Sequence, residues 1–176
     1  MPAVEIRADV ELTHPREQVF VTYRDRMPEL VEFLPNIRSI RVLSRDDRGD
    51  MVLLVNEWVG GGDIPAVARA VLKESMLRWT DHATWRTESF TVEWRTEVHA
   101  FPGAITAAGT NRFVESPRGT RLEIRGELAC DSARVPGVPR LLARTVNAAA
   151  EKILVKQVGH NLAEVGRGVQ KLLDRS

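Results

Sequence analysis

The groups through which this chain could do chemistry are four histidines, one cysteine, a triple glycine and a few polar residues set among alternating apolar ones. His14, His82, His99 and His160 are too scattered for a ligand spacing such as His-Glu-x-x-His, so no metal site is expected. A serine nucleophile on a Gly-x-Ser-x-Gly elbow is absent. Cys130 sits among apolar neighbours and reads as a buried structural thiol. Being the only cysteine, it also excludes an internal disulfide and a multi-cysteine zinc site. Gly60-Gly61-Gly62 lacks the Lys-Ser/Thr of a phosphate loop; it reads as a hairpin turn, placed where it could border a cavity entrance.

The more informative polar residues share a strand face with apolar ones. Asn56 alternates with Val52, Leu54 and Trp58, and Asn111 with Gly109 and Phe113. Glu74 alternates with Ala70, Leu72 and Met76. An inward carboxylate is costly unless paired or protonated, so an inward Glu74 would pair with Arg78 or Arg112, or act as an acid or base. Lys73 and Glu74 must face opposite ways, so Glu74 on the wet face satisfies the same pattern. Trp58, Trp79, Trp85 and Trp94 each bring a large apolar ring with one N–H donor. Core packing suits all four, and Trp58 and Trp94 are the pair expected at a cavity.

These residues need a scaffold, and the periodicity supplies one. Val4, Ile6, Ala8, Val10 and Leu12 alternate with Glu5, Arg7, Asp9 and Glu11, a strand with one wet face. Thr13 and Pro15 open a short helix carrying Val19, Phe20 and Tyr23. Pro28 opens a second, and Pro35 stops it. Strands are expected over Ile37–Leu43, Met51–Val59, Ala66–Trp79, Phe90–Ala100, Ile105–Glu115 and Leu122–Cys130, with turns at Asp46–Gly49 and around His82. After Pro136 and Pro139 a long helix carries two apolar stripes. Val155, Val158, Leu162, Val165, Val169 and Leu172 form one; Leu142, Val146, Ala149 and Ile153 form the other, on a rotated face. The helix is therefore expected to bend near 153–155 or to be covered on two sides.

Composition narrows the function classes. With 176 residues, 43% hydrophobic and 28% charged, the chain reads as a single domain over 1–176 with a sizeable core. Lys+Arg 25 against Asp+Glu 24 gives no basic surplus for a nucleic-acid partner. The longest aliphatic run, Met51 to Val55, is far too short for an integral membrane segment, and no apolar signal core opens the chain, so a cytoplasmic address is expected. Lys152, Lys156, Arg167 and Lys171 make the last helix basic, a face suited to solvent or to weak membrane-surface contact. Monomer and homodimer both remain open.

The order of one strand, two short helices, a run of antiparallel strands and a long last helix resembles the helix-grip fold of the START-like (SRPBCC) superfamily. The segments Thr13-His14-Pro15-Arg16-Glu17-Gln18-Val19-Phe20, Glu32-Phe33-Leu34-Pro35-Asn36, Trp79-Thr80-Asp81, Gly119-Thr120-Arg121-Leu122 and Lys156-Gln157-Val158-Gly159-His160-Asn161-Leu162 carry the resemblance. It implies an α+β fold, with a curved antiparallel sheet of about seven strands gripping the C-terminal helix. It also implies a small lipophilic ligand held between sheet and helix, as in lipid-transport-like and coenzyme-Q-binding-like members, with no cofactor. The alternative it implies is a polyketide cyclase/dehydrase-like enzyme acting on an apolar or aromatic substrate, with acid/base work from Glu74, Arg112 or a histidine. The cavity candidates are Phe33, Asn56, Trp58, Leu72, Glu74, Met76 and Trp94, then Val98, Asn111, Phe113, Leu122, Ile124, Val158 and Leu162. Small inward residues such as Ala107, Gly109 and Gly126 suit either a cavity or a closely seated helix. Gly109→Leu or Ala107→Phe is expected to fill the space without unfolding the chain.

Overall fold

The computed structural model describes residues 3–62, 64, 66, 69 and 73–176. Strand β1 (Val4–Leu12) is followed by helix α1 (Arg16–Asp25), a 3-10 segment (Met27–Phe33), and strands β2 (Ile37–Arg48) and β3 (Met51–Gly60). A 3-10 turn (Glu74–Met76) leads into β4 (Arg78–Arg86), β5 (Thr91–Val98), β6 (Ile105–Ser116) and β7 (Gly119–Cys130); helix α2 (Ala143–Asp174) ends the chain. The strands form one seven-stranded sheet in the order β1-β7-β6-β5-β4-β3-β2, every neighbouring pair antiparallel. Sheet, two short helical segments and long helix make the α+β helix-grip architecture that the sequence order implies.

Alternation decides which face of each strand is dry. In β3, Val52, Leu54, Asn56 and Trp58 are buried; in β7, Leu122, Ile124, Leu128 and Cys130 are. Phe20 of α1 plugs one end of the dry face, with ring centroids 5.2 Å from Trp85, 5.2 Å from Phe113 and 5.4 Å from Phe90, all nearly perpendicular. Edge-to-face packing of this kind adds to the area term.

Helix α2 is seated at its C-terminal end. Apart from Asn147, its buried residues lie between Ala163 and Leu173. A Cβ on Gly166 would stand 3.1 Å from Leu122 and 3.3 Å from Val10, so a small residue there lets the helix close on β1 and β7. Gln170 accepts from the Thr13 backbone at 2.9 Å, His14 pairs with Asp174 at 2.8 Å, and Arg175 with Glu32 at 2.7 Å. The other end is held by Asn147, whose Oδ1 accepts from the Ser132 backbone at 2.7 Å.

Several sequence expectations are corrected. The strand expected over Ala66–Trp79 is instead Arg78–Arg86, and His82 is a strand residue rather than a turn residue. Ala68, Ala70 and Leu72 lie outside the described residues. β2 runs on to Arg48, with Gly49 at φ +64° making the turn. The second apolar stripe of α2 is not covered on its outer side among the described residues: Ile153 and Leu142 are exposed, as is neighbouring Leu141. Gly109 is not spare volume. It faces Gly126 across β6 and β7, and a Cβ there would collide with the Arg125 carbonyl and stand 2.6 Å from the Trp94 ring.

Two glycine substitutions therefore have opposite signs. Gly109→Ala should lower stability by about 1–3 kcal/mol through overpacking. Gly159→Ala meets no atom within 4 Å on its helix and should raise stability by about 1 kcal/mol. Thermal or urea unfolding of the two variants measures both.

Candidate functional site

Because α2 seats on β1 and β7, the inner faces of β3 to β6 are not closed by it completely. A cavity of ≈ 360 Å³ remains between them. Its sheet wall carries Trp58, Trp79, Ala83, Trp85, Trp94, Val98 and Ala107, and its helix wall Leu154, Val158, Leu162 and Val165. Tyr23 and Met27 close one end, and Leu34 to Ile37 contribute to the rim. Trp58 and Trp79 are cross-strand partners stacked at 5.8 Å and 14°.

The lining is apolar except for a small cluster. Asp81 stands on the inner face of β4 between Asn56 of β3 and Thr96 of β5, its direct cross-strand partners. Removal from water raises its carboxyl from 3.8 to about 7, and a hydrogen bond from Asn56 opposes the rise. Tyr23 is also raised, first by burial and then by the Asp81 charge, with a hydrogen bond to Asn111 acting the other way. Asn111 Oδ1 accepts from Trp94 Nε1 at 2.9 Å, which holds the amide in place. Asn56 is fully buried beside Asp81; its Nδ2 reaches Met27 Sδ at 3.8 Å, and its Oδ1 has no hydrogen-bond partner. A carboxyl titrating near neutrality can give or take a proton at ordinary pH, and such a group in a cleft marks a candidate site.

Of the candidates read from sequence, Trp58, Met76, Trp94, Val98, Asn111, Val158 and Leu162 line this cavity. The others do not. Phe113, Leu122 and Ile124 face inward but are packed solid, Phe113 against Phe20 and Leu122 beneath Gly166. Phe33 packs outside the cavity, 5.0 Å under the Arg175 guanidinium and against Gly168. Asn56 is buried beside Asp81 and is not among the residues that line the cavity. Glu74 is exposed and paired with Arg38 at 2.9 Å, because it sits in a 3-10 turn where strand alternation does not apply. Arg112 is on the exposed face of β6, far in character from an inward partner. Leu72 lies outside the described residues.

Tyr23 and Asp81 were not singled out as site residues. The signal for Asp81 was present: Trp79, Asp81, Ala83 and Trp85 alternate with Thr80, His82, Thr84 and Arg86. The adjacent polar pair Asp81-His82 hid that period by imitating a turn. His160 lines the cavity from α2, whereas His99 and Cys130 are engaged elsewhere. His99 and Thr80 share a 2.6 Å hydrogen bond, and burial raises the Cys130 thiol, with the Glu151 and Asp131 charges adding to it. Among the described residues no three His, Cys, Asp or Glu side chains gather as a metal site. Among the described residues no helix is long and apolar enough to cross a membrane.

The architecture is shared with solved structures. TTHA0849 from Thermus thermophilus superposes with a TM-score of 0.68 at 18% identity, covering 98% of this chain and 99% of that one. The Zhui aromatase/cyclase from a Streptomyces species gives 0.60 at 13%, covering 97% and 96%. Ara h 8.0201 gives 0.60 at 8%, covering 99% and 100%. At these identities the likeness is one of fold, and it places the chain in the helix-grip fold class. Within that class the chain belongs to the family described as "Protein of unknown function (DUF2505)", whose model matches residues 7–160. A comparison with curated proteins finds no match.

The raised Asp81 has a consequence for stability. Folded Asp81 holds its proton up to about pH 7 while the unfolded group releases it near 3.8, so between these values the folded chain binds more protons. Stability from this group thus falls as pH rises through that window and is level above it. Asp81→Asn should therefore gain stability relative to the parent from pH 4 to pH 7. Urea midpoints measured in parallel on the two proteins cancel the ordinary surface carboxylates and isolate the trend.

Proposed function

We propose that the chain binds a small lipophilic molecule in the cavity between the sheet and α2. The observation that carries this is the cavity itself: ≈ 360 Å³ with walls of tryptophan and aliphatic side chains and one polar end. That size falls within the range of small-molecule sites, which are mostly apolar with a few placed polar groups. Affinity would come from burial, about 0.8 kcal/mol per CH₂, with Asp81 and Tyr23 setting orientation. Trp58, Met76, Trp94, Val98, Asn111, Val158 and Leu162 are the proposed contacts.

A second reading, an enzyme acting on an apolar or aromatic substrate, has its own observation in the Asp81 carboxyl raised to about 7. The aromatase/cyclase among the structural neighbours is in keeping with it. Asp81, with Tyr23 beside it, replaces Glu74 and Arg112 as the acid/base candidate. Under this reading Asp81→Asn lowers turnover by about 10²-fold or more while affinity changes little; equal losses in both would remove the acid/base role.

Native mass spectrometry of the purified protein, followed by organic extraction, tests the binding reading. A retained lipophile is expected, and Ala107→Phe, which places a ring in the cavity wall, should lose it while keeping the parent's circular dichroism. Undiminished retention in that variant would refute the proposed location.

A further inference from the structure

All four tryptophans of the chain line one cavity, and Asp81 is the carboxyl set among them. Three of the four indole N–H groups are not offered to the lumen. That of Trp94 is spent on Asn111, and those of Trp58 and Trp85 are sealed in the wall without partners. The tryptophans thus bring mainly ring carbon to the space, and an aromatic ring attracts a cation at its face. Among the described residues no arginine or lysine is paired with Asp81: its influences are burial and the Asn56 amide. The charged groups on the packed elements are few. Arg78 lines the cavity from β4, while His160 and Glu164 line it from α2, Glu164 paired with Arg167. From α1 comes Tyr23, and β3 and β5 present the neutral Asn56 and Thr96.

An anion without a counter-ion, enclosed by aromatic rings, is a receptor lacking its cation. We propose that the lipophilic ligand of this cavity is an organic cation, an amine or quaternary ammonium whose charge sits against Asp81 with its substituents among the tryptophans. This rests on the binding reading and adds the chemical class of the ligand. Cation–π attraction and the carboxylate act on the same charge, and both gain strength where water is excluded. A neutral lipophile of the same shape would leave Asp81 buried and unpaired.

The charge state of Asp81 makes the inference testable apart from burial. A permanent cation needs the ionised carboxylate, so its apparent affinity follows the ionised fraction. With the carboxyl at about 7, affinity should rise about tenfold from pH 6 to pH 8.

Benzyltrimethylammonium and neopentylbenzene are an isosteric pair, one charged and one neutral. Calorimetric titration of the full chain in amine-free buffer compares them at pH 6 and pH 8. The expected result is tighter binding of the cation, strengthening about tenfold with pH, and neutral binding indifferent to pH. Asp81→Asn should weaken the cation at least about tenfold, abolish its pH dependence and leave the neutral isostere bound. Equal affinity for both probes, or a pH-independent cation, overturns the proposal and leaves the lipophile reading standing. Failure of both probes to bind overturns the two together.

Discussion

The structure turns on where the last helix can touch the sheet. Gly166 lets α2 settle onto Leu122 and Val10, and the bonds from Thr13, His14 and Glu32 fix its C-terminal end there. A helix seated on β1 and β7 does not also seat on β5, β4 and β3, which lie two or more strands beyond β7 in the sheet order. The space it leaves is the cavity. Side chains that could fill it are held off: Trp94 lies across the Gly109–Gly126 pair, and Trp58 is stacked on Trp79. The solid core and the cavity are two consequences of one docking geometry, the first under α1 and the C-terminal turns of α2, the second under its middle.

Asp81 is the exception to the logic of that interior. A carboxyl placed between two strands of a dry face costs folding free energy as soon as it ionises, and the Asn56 amide offsets only part of that. Leucine at the same position would pack without penalty. Sites where local rules are broken without a structural gain are where function is to be sought. The neighbouring Asn111 reinforces the point, since its amide joins Trp94 and Tyr23 into one hydrogen-bonded group facing the same space.

The sequence was legible where a period was strict. β1, β7 and the 155–172 stripe of α2 stand where alternation and helical spacing put them. Alternation tells which face a side chain takes, but not how far along the strand the covering helix reaches. Phe113, Leu122 and Ile124 were thus correctly inward and still not at the cavity. The segment before β4 failed differently. Leu72, Glu74 and Met76 looked like a strand face, yet residues 74–76 form a single 3-10 turn, and the true strand starts at Arg78. Its inner face was masked by the very residue that matters most there, because Asp81 beside His82 has the composition of a turn. The expectation that α2 bends or is covered on both sides assumed that every apolar stripe finds a partner, and Ile153 and Leu142 of its second stripe do not among the described residues.

The central claim is that an apolar chamber exists between the sheet and the middle of α2 and is open to a small molecule. The most direct test is a crystal structure of the protein equilibrated with iodobenzene, in which the anomalous signal of iodine marks the site without reference to any assumed ligand. The account places the iodine between Trp58, Trp94 and Val158. A structure in which these side chains meet across a filled core, with no iodine between them, would contradict it.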